Sequence, residues 1–303
     1  MLTYKKFEER SFDRQYRTLL EKIKDEGELV KTQQEEPARR ILGHQMRFEL
    51  ANGFPLITER DLAAGGARSV FNQAIAELCA FINGARTQEK LESFGCFWWK
   101  RWVTEEKCGK RGLKTGDLGP GSYGPAWRSF PTAEGQSFDQ IAHLVQQIRE
   151  LPHLRTHFVS PWIPQYALRG KGKTQKVVVA PCHGWIHVFV NPESKELSVH
   201  HFQRSADAPV GLPANLIQYG ALTLMLAQVT EFTAKELVYT ISDAHIYAGQ
   251  KNDVEEMLET ANERLPTVTL DSSIKNLFDF RPEHFQVSDY HPKLERRVIW
   301  TPV

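Results

Sequence analysis

KVVVAPCH (176–183), WIHVFV (185–190) and ELSVHHFQRS (196–205) follow one another, with only Gly184 between the first two and the polar turn NPESK (191–195) between the last two. Each is rich in β-branched or aromatic residues, or alternates apolar with polar, and reads as a strand. Directly afterwards, residues 213–229 place Leu216, Leu222, Met225 and Leu226 on one apolar face of a helix. ELVYTISDAHIY (236–247) starts as another strand and ends as a loop. Working outward, residues 13–27 read as a surface helix and KTQQEEPARR (31–40) as a polar loop around Pro37. HQMRFELANGFPLIT (44–58) reads as a strand, a turn at Asn52-Gly53 and a second strand beginning near Pro55. Residues 69–83 carry Val70, Ile75, Leu78, Cys79 and Ile82 at helical intervals, and Gly84 supplies a stop. A Gly- and Lys-rich loop covers 107–124, a second amphipathic helix 138–151 and a basic hairpin or loop 165–176. The pattern is α/β of the mixed α+β kind, without a regular βαβ rhythm, and no compositional break divides it, so one domain over 1–303 is expected.

The bulk composition narrows the function classes. A chain of 303 residues with 41% hydrophobic side chains has enough material for a sizeable core. Its 38 basic and 37 acidic side chains leave a net charge of +1, which argues against a surface for polymeric nucleic acid. A small anion held by a few local arginines remains compatible. The four cysteines, at 79, 96, 108 and 182, show no CxxC spacing, so neither a zinc ribbon nor a disulfide framework is expected. The charged start MLTYKKFEERSFDRQYR lacks an apolar centre, and no stretch has the length of a membrane span. A soluble protein of a reducing, cytoplasmic compartment is the expectation.

Several residues carry chemistry, and each has a plainer reading beside it. Cys182 follows an apolar run and a proline, with His183 alongside and Arg204 just across the next strands if those form a meander. A thiol near positive charge is a nucleophile; a lone cysteine is more commonly an inert core residue. Gln203, Arg204, Ser205 and Asp207 crowd one strand end, where a guanidinium fork with a neighbouring hydroxyl suits phosphate. A solvated Arg–Asp pair is the alternative. Asp243, His245 and Tyr247 suit sugar hydroxyls or a polar turn. Asn215, near a helix start, is a reader of a ligand edge or a cap. Glu77 in an apolar helix is either a buried acid with a raised pKa or the exposed stripe. Trp98, Trp99 and Trp102 read first as core. No P-loop, dinucleotide fingerprint or metal-ligand spacing is present, and His200-His201 reads as two faces of one strand.

Taken together, the motifs resemble the thymidylate synthase family. The matching pieces are GHQMRFELANGFPLIT (43–58), AELCAFINGA (76–85), WWKRW (98–102), LGPGSYGPAWR (118–128), LRTHFVSPWIP (154–164), APCH (180–183), HHFQRSAD (200–207), VGLPANLIQYGALTLMLAQ (210–228) and ISDAHIY (241–247). The resemblance implies a mixed α/β fold around a twisted sheet and a homodimer packed sheet to sheet. It also implies transfer of a one-carbon unit from methylenetetrahydrofolate to C5 of a deoxypyrimidine monophosphate. By motif position Cys182 is the nucleophile, Glu77 the general acid/base and Tyr123 an aid to proton removal, with His183 beside them. Arg204 and Ser205, with Arg155 from the partner subunit, would hold the phosphate. Asn215 would read the base, with Gln203 beside it, and His245 and Tyr247 the sugar. Asp207, Trp99 and Arg60 would face the folate. No metal is implied.

The chain also departs from the family pattern. Arg155-Thr156 stands where two adjacent arginines are usual, KTQQEEPARR replaces an Arg-containing Gly/Thr-rich loop, and Ala80 stands at a usual tryptophan. Extra residues occur around 61–68 and 168–176, and RRVIWTPV (296–303) is a longer end than usual. These changes leave a methyl or a hydroxymethyl product open, the latter being a phage-associated chemistry. They also leave dCMP open beside the favoured dUMP. From another class, a non-catalytic nucleotide- or RNA-binding protein of the same fold is the rival reading.

Overall fold

The computed structural model describes residues 2–302. Helix α1 (Gln15–Glu26) buries Tyr16, Leu19, Leu20 and Ile23, the i, i+3, i+4, i+7 stripe of an amphipathic helix, so it lies half in the core. Strands β1 (Glu28–Val30) and β2 (Ala38–Glu49) pair antiparallel. Ser69 caps helix α2 (Val70–Ile82) by accepting from the Asn72 N–H at 3.0 Å. Helices α3 (Tyr123–Arg128) and α4 (Gln140–Glu150) follow, then strands β3 (Phe158–Val159), β4 (Trp185–Asn191) and β5 (Glu196–Asp207). Helix α5 (Gly211–Val229) is buried around nearly its whole circumference, as its apolar sequence on all sides requires. Strand β6 (Thr233–Tyr247) returns through the centre of the sheet.

The main sheet has six strands in the order β1-β2-β6-β5-β4-β3. All neighbours are antiparallel except β5 and β6, which run parallel. That parallel pair needs a crossover, and α5 is the crossover. The mixed α/β expectation therefore holds. Met46 and Phe48 on β2, Ile186 and Val188 on β4, Leu197, Val199 and His201 on β5, and Leu237, Tyr239 and Ile241 on β6 point to one side and are buried. Helices α1, α2 and α5 build up that side. Phe158, Phe189 and Phe202 project from the opposite face and are 53%, 43% and 37% exposed, so among the described residues nothing covers it. His200 and His201 fall on opposite faces, as alternation requires.

Three local expectations need correction. Residues 176–183 form no strand. Val177 and Val178 are buried, but their backbone runs beside 118–121, where the Val178 N–H donates to the Leu118 carbonyl at 2.9 Å. The two strands after it, β4 and β5, pair antiparallel as expected and bring Arg204 back beside Cys182. Residues 55–58 are buried irregular backbone rather than a second strand; the Phe54 N–H donates instead to the Pro266 carbonyl at 2.8 Å. Finally, SDAHIY (242–247) continues β6 to its end and is not a loop. Among the described residues no helix is long and apolar enough to cross a membrane.

Candidate active site

The C-terminal halves of β5 and β6, helices α2, α3 and α5, and the 180–184 turn converge at one end of the sheet. Cys182 is half-buried on that turn, while Cys79, Cys96 and Cys108 are buried. The Cys182 carbonyl accepts from the Arg204 N–H at 2.7 Å, which docks the turn onto β5. The Arg204 side chain folds back over it. Its Nη2 lies 3.3 Å from Cys182 Sγ and 3.3 Å from the Ala180 carbonyl, and its Nε donates to the Pro181 carbonyl at 3.2 Å. Burial pushes the Cys182 thiol above its ordinary pKa, and the Arg204 guanidinium opposes that push. The Cys182 N–H donates to Tyr123 Oη at 2.9 Å.

Tyr123, at the start of α3, stacks on Phe81 at 4.9 Å and on His183 at 4.3 Å between ring centres. His183 Nδ1 lies 2.6 Å from Tyr219 Oη on α5. Burial lowers the His183 pKa to about 3, so the ring is neutral at physiological pH.

Glu77 is a buried acid and not an exposed stripe. Its Oε1 accepts from Trp98 Nε1 at 2.6 Å and from Trp99 Nε1, and its Oε2 accepts from Gln218 Nε2 at 2.5 Å. Burial raises its pKa, the three N–H donors opposing. Trp99 thus has a polar task beyond filling the core. Asn215 is not a helix cap. It sits in the second turn of α5, where Nδ2 donates to Gln218 Oε1 at 2.9 Å and Oδ1 accepts from Gln203 Nε2 at 3.0 Å. Gln203 also donates to the Ser205 carbonyl at 2.9 Å and accepts from the Tyr239 hydroxyl.

Farther along the strands, Ser205 Oγ donates to Asp243 Oδ2 at 2.8 Å, and His245 Nδ1 is 3.4 Å from Asp243 Oδ1. Tyr247 packs edge-on against His245 at 5.0 Å. Arg40 on β2 is the register partner of His245, and its Nε is buried without a hydrogen-bond partner. At the end of β5 the Asp207 carboxylate accepts from Gln250 Nε2 at 3.1 Å, from the Val210 N–H at 3.2 Å and from the Thr301 hydroxyl at 2.6 Å. Arg60 is buried near it, donates through Nη2 to the Pro209 carbonyl at 2.8 Å, and has an unpartnered Nε.

The fold therefore gathers Cys182, His183, Tyr123, Glu77, Trp99, Gln203, Arg204, Ser205, Asn215, His245, Tyr247, Asp207 and Arg60 around this end of the sheet. Arg155 is the exception. It is exposed, and only its carbonyl is engaged, by His187 Nε2 at 3.0 Å on β4. The two atypical stretches meet elsewhere, where Arg169 Nη2 donates to Gln33 Oε1 at 2.6 Å. Sequence reading passed over Gln218 and Tyr219. The available signal was a glutamine three residues after Asn215, hence on the same face of a helix otherwise almost wholly apolar. Arg40 was legible only as one of two adjacent arginines, and β-register separates it from Arg39. A comparison with known families finds that the thymidylate synthase family model matches residues 14–299.

Proposed function

Because the chain belongs to the thymidylate synthase family, we propose that it moves a one-carbon unit from methylenetetrahydrofolate to C5 of a deoxypyrimidine 5′-monophosphate, with dUMP favoured over dCMP. The observation that carries this reading is the Arg204 guanidinium 3.3 Å from Cys182 Sγ, within one cluster with Tyr123, Glu77 and Asn215. A thiol, an acid and an amide that reads hydrogen bonds have no shared purpose in a passive binder. In the proposed reaction the Cys182 thiolate bonds to C6 of the ring, and the electron pair of the C5–C6 double bond makes C5 a nucleophile. C5 bonds to the folate methylene as one of that carbon's two bonds to folate nitrogen breaks. C5 then loses its proton, in reach of the Tyr123 hydroxyl, as the second carbon–nitrogen bond breaks. Hydride from the folate reduces the resulting exocyclic methylene while the C6–sulfur bond breaks to release the Cys182 thiolate. Glu77 exchanges protons at the C4 side of the ring; its raised pKa suits an acid working near neutrality.

Arg204, Ser205 and Arg40 supply a cation, a hydroxyl and a second cation for the phosphate, with Arg155 arriving from a partner subunit packed on the uncovered sheet face. The buried, unpartnered Arg60 Nε and the Asp207 carboxylate fit a folate head group, which offers both acceptors and donors. Thr301 on Asp207 ties the C-terminal segment across that end of the site. A C-terminal segment held there would restrict water at that end of the site, which is why the reading favours hydride reduction to a methyl group over hydration to a hydroxymethyl group.

The test is to incubate the protein with methylenetetrahydrofolate and either dUMP or dCMP, and to weigh the product. dTMP is expected, with tritium released from C5. Cys182→Ala should abolish release; full activity in that variant would refute the mechanism. Binding of the nucleotide without turnover would instead support the non-catalytic rival.

A further inference from the structure

Asn215 can face a pyrimidine in two ways, because its amide offers one acceptor and one donor that exchange places on a flip. Two glutamines remove that freedom. Gln203 Nε2 is anchored on the Ser205 carbonyl, so it presents an N–H to Asn215. Gln218 Nε2 is anchored on Glu77 and on the Ala74 carbonyl at 3.3 Å, so it presents its oxygen to Asn215. The Ser205 and Ala74 carbonyls are pure acceptors, so neither glutamine can turn. A flipped Asn215 would set N–H against N–H on one side and oxygen against oxygen on the other. Every bond in the series Tyr239–Gln203–Asn215–Gln218–Glu77 therefore donates in one direction, towards the carboxylate. The remaining Asn215 N–H lies on the Glu77 side and the remaining oxygen lone pair on the Gln203 side.

We propose that Gln218 is the residue that makes the base choice exclusive, by locking Asn215 to receive O4 and N3–H of uracil and to repel the amino group and bare N3 of cytosine. This rests on the reading above, in which C4 of the ring lies towards Glu77. Gln218 is a positioning residue: it touches Glu77 and Asn215 rather than the substrate.

The test measures dissociation constants of dUMP and dCMP by calorimetry for the wild type, Gln218→Met and Gln218→Glu, with kcat alongside. The wild type should prefer dUMP. Met removes one of the two constraints, so a flip of Asn215 then meets one mismatched contact (Gln203) instead of two, and the dUMP-to-dCMP affinity ratio should fall about tenfold or more. Glu keeps an acceptor facing Asn215, so the ratio should persist while kcat drops, because Glu77 now faces a second carboxylate. A merely structural role would affect both variants alike. The proposal is overturned if the wild type does not discriminate, if Met retains the ratio, or if Glu loses it. Should the Met protein fail to fold, the Glu arm alone decides. Because affinity is read without turnover, a locked ratio in a protein that makes no product would sink the reaction and spare the lock.

Discussion

Arg204 and Cys182 meet at the point where burial and charge pull a thiol in opposite directions. Desolvation favours the protonated form, and the guanidinium 3.3 Å away favours the thiolate. Replacing Arg204 by Leu should therefore shift the pH midpoint of Cys182 alkylation upward and slow alkylation at fixed pH. Iodoacetamide labelling of the native protein reads this directly, because the other three cysteines are buried. Equal labelling rates in the two proteins would remove Arg204 from thiolate stabilisation. A second buried acid lies outside the site. Burial raises the Glu59 pKa from 4.5 to about 7, opposed by backbone N–H donors that include Thr58 at 3.1 Å from its Oε2. The folded chain then holds this proton more tightly than the unfolded chain. That contribution to stability is complete below 4.5 and is lost as pH rises through about 7. The difference amounts to about 3 kcal/mol. Glu59→Gln keeps the Thr58 bond without the charge. Relative to it, the wild type should lose about that much stability between pH 4 and pH 8 in urea unfolding. Parallel curves for the two proteins would show that Glu59 does not titrate in this window.

At the scale of elements, α3 has one function-bearing residue and one that sets its position. A Cβ on Gly124 would lie 2.1 Å from the Ala85 carbonyl oxygen and 2.7 Å from the Gly84 carbonyl carbon, both backbone atoms that cannot turn away. Gly124→Ala must displace α3 and with it Tyr123, whose hydroxyl meets the Cys182 N–H. The expected cost is about 1–3 kcal/mol of stability, with a fall in kcat larger than any change in nucleotide affinity. Urea unfolding and tritium release check the two parts. How far such elements were legible depended on what their side chains face. Helix α4 was readable because one stripe is apolar and the other is not, and α2 because its large apolar residues recur at helical intervals between Ser69 and Gly84. The run VVVA was misread because apolarity reports burial, and burial beside the 118–121 segment looks the same as burial in a sheet. SDAHIY was misread for the opposite reason: its polar side chains face one another at the site, so a central strand carried the composition of a loop. The chemistry-bearing residues were legible through their motifs, whereas the role of Gln218 was hidden because Ala74 and Glu77 reach it only when α2 packs on α5.

The whole molecule leaves one face of its sheet bare, and that face decides where Arg155 can act. Phe158, Phe189 and Phe202 line it together with Trp185 and His187, and strand register places them on adjacent strands. An exposed apolar sheet face of this kind calls for a partner. A two-fold dimer would use the same patch on both copies and bring each chain's Arg155 to the other's phosphate site. Phe189→Asp with Phe202→Asp should then sediment as a monomer. The stronger test mixes two inactive proteins, Arg155→Ala and Cys182→Ala. In a hybrid dimer, one site pairs an intact Cys182 with an intact Arg155 from the other chain, while the second site has lost both. Random exchange of equal amounts makes half the dimers hybrid with one working site each, so about a quarter of wild-type tritium release should return. If Arg155 served its own chain, each site would lack either its thiol or its arginine whatever the pairing, and mixing would restore nothing.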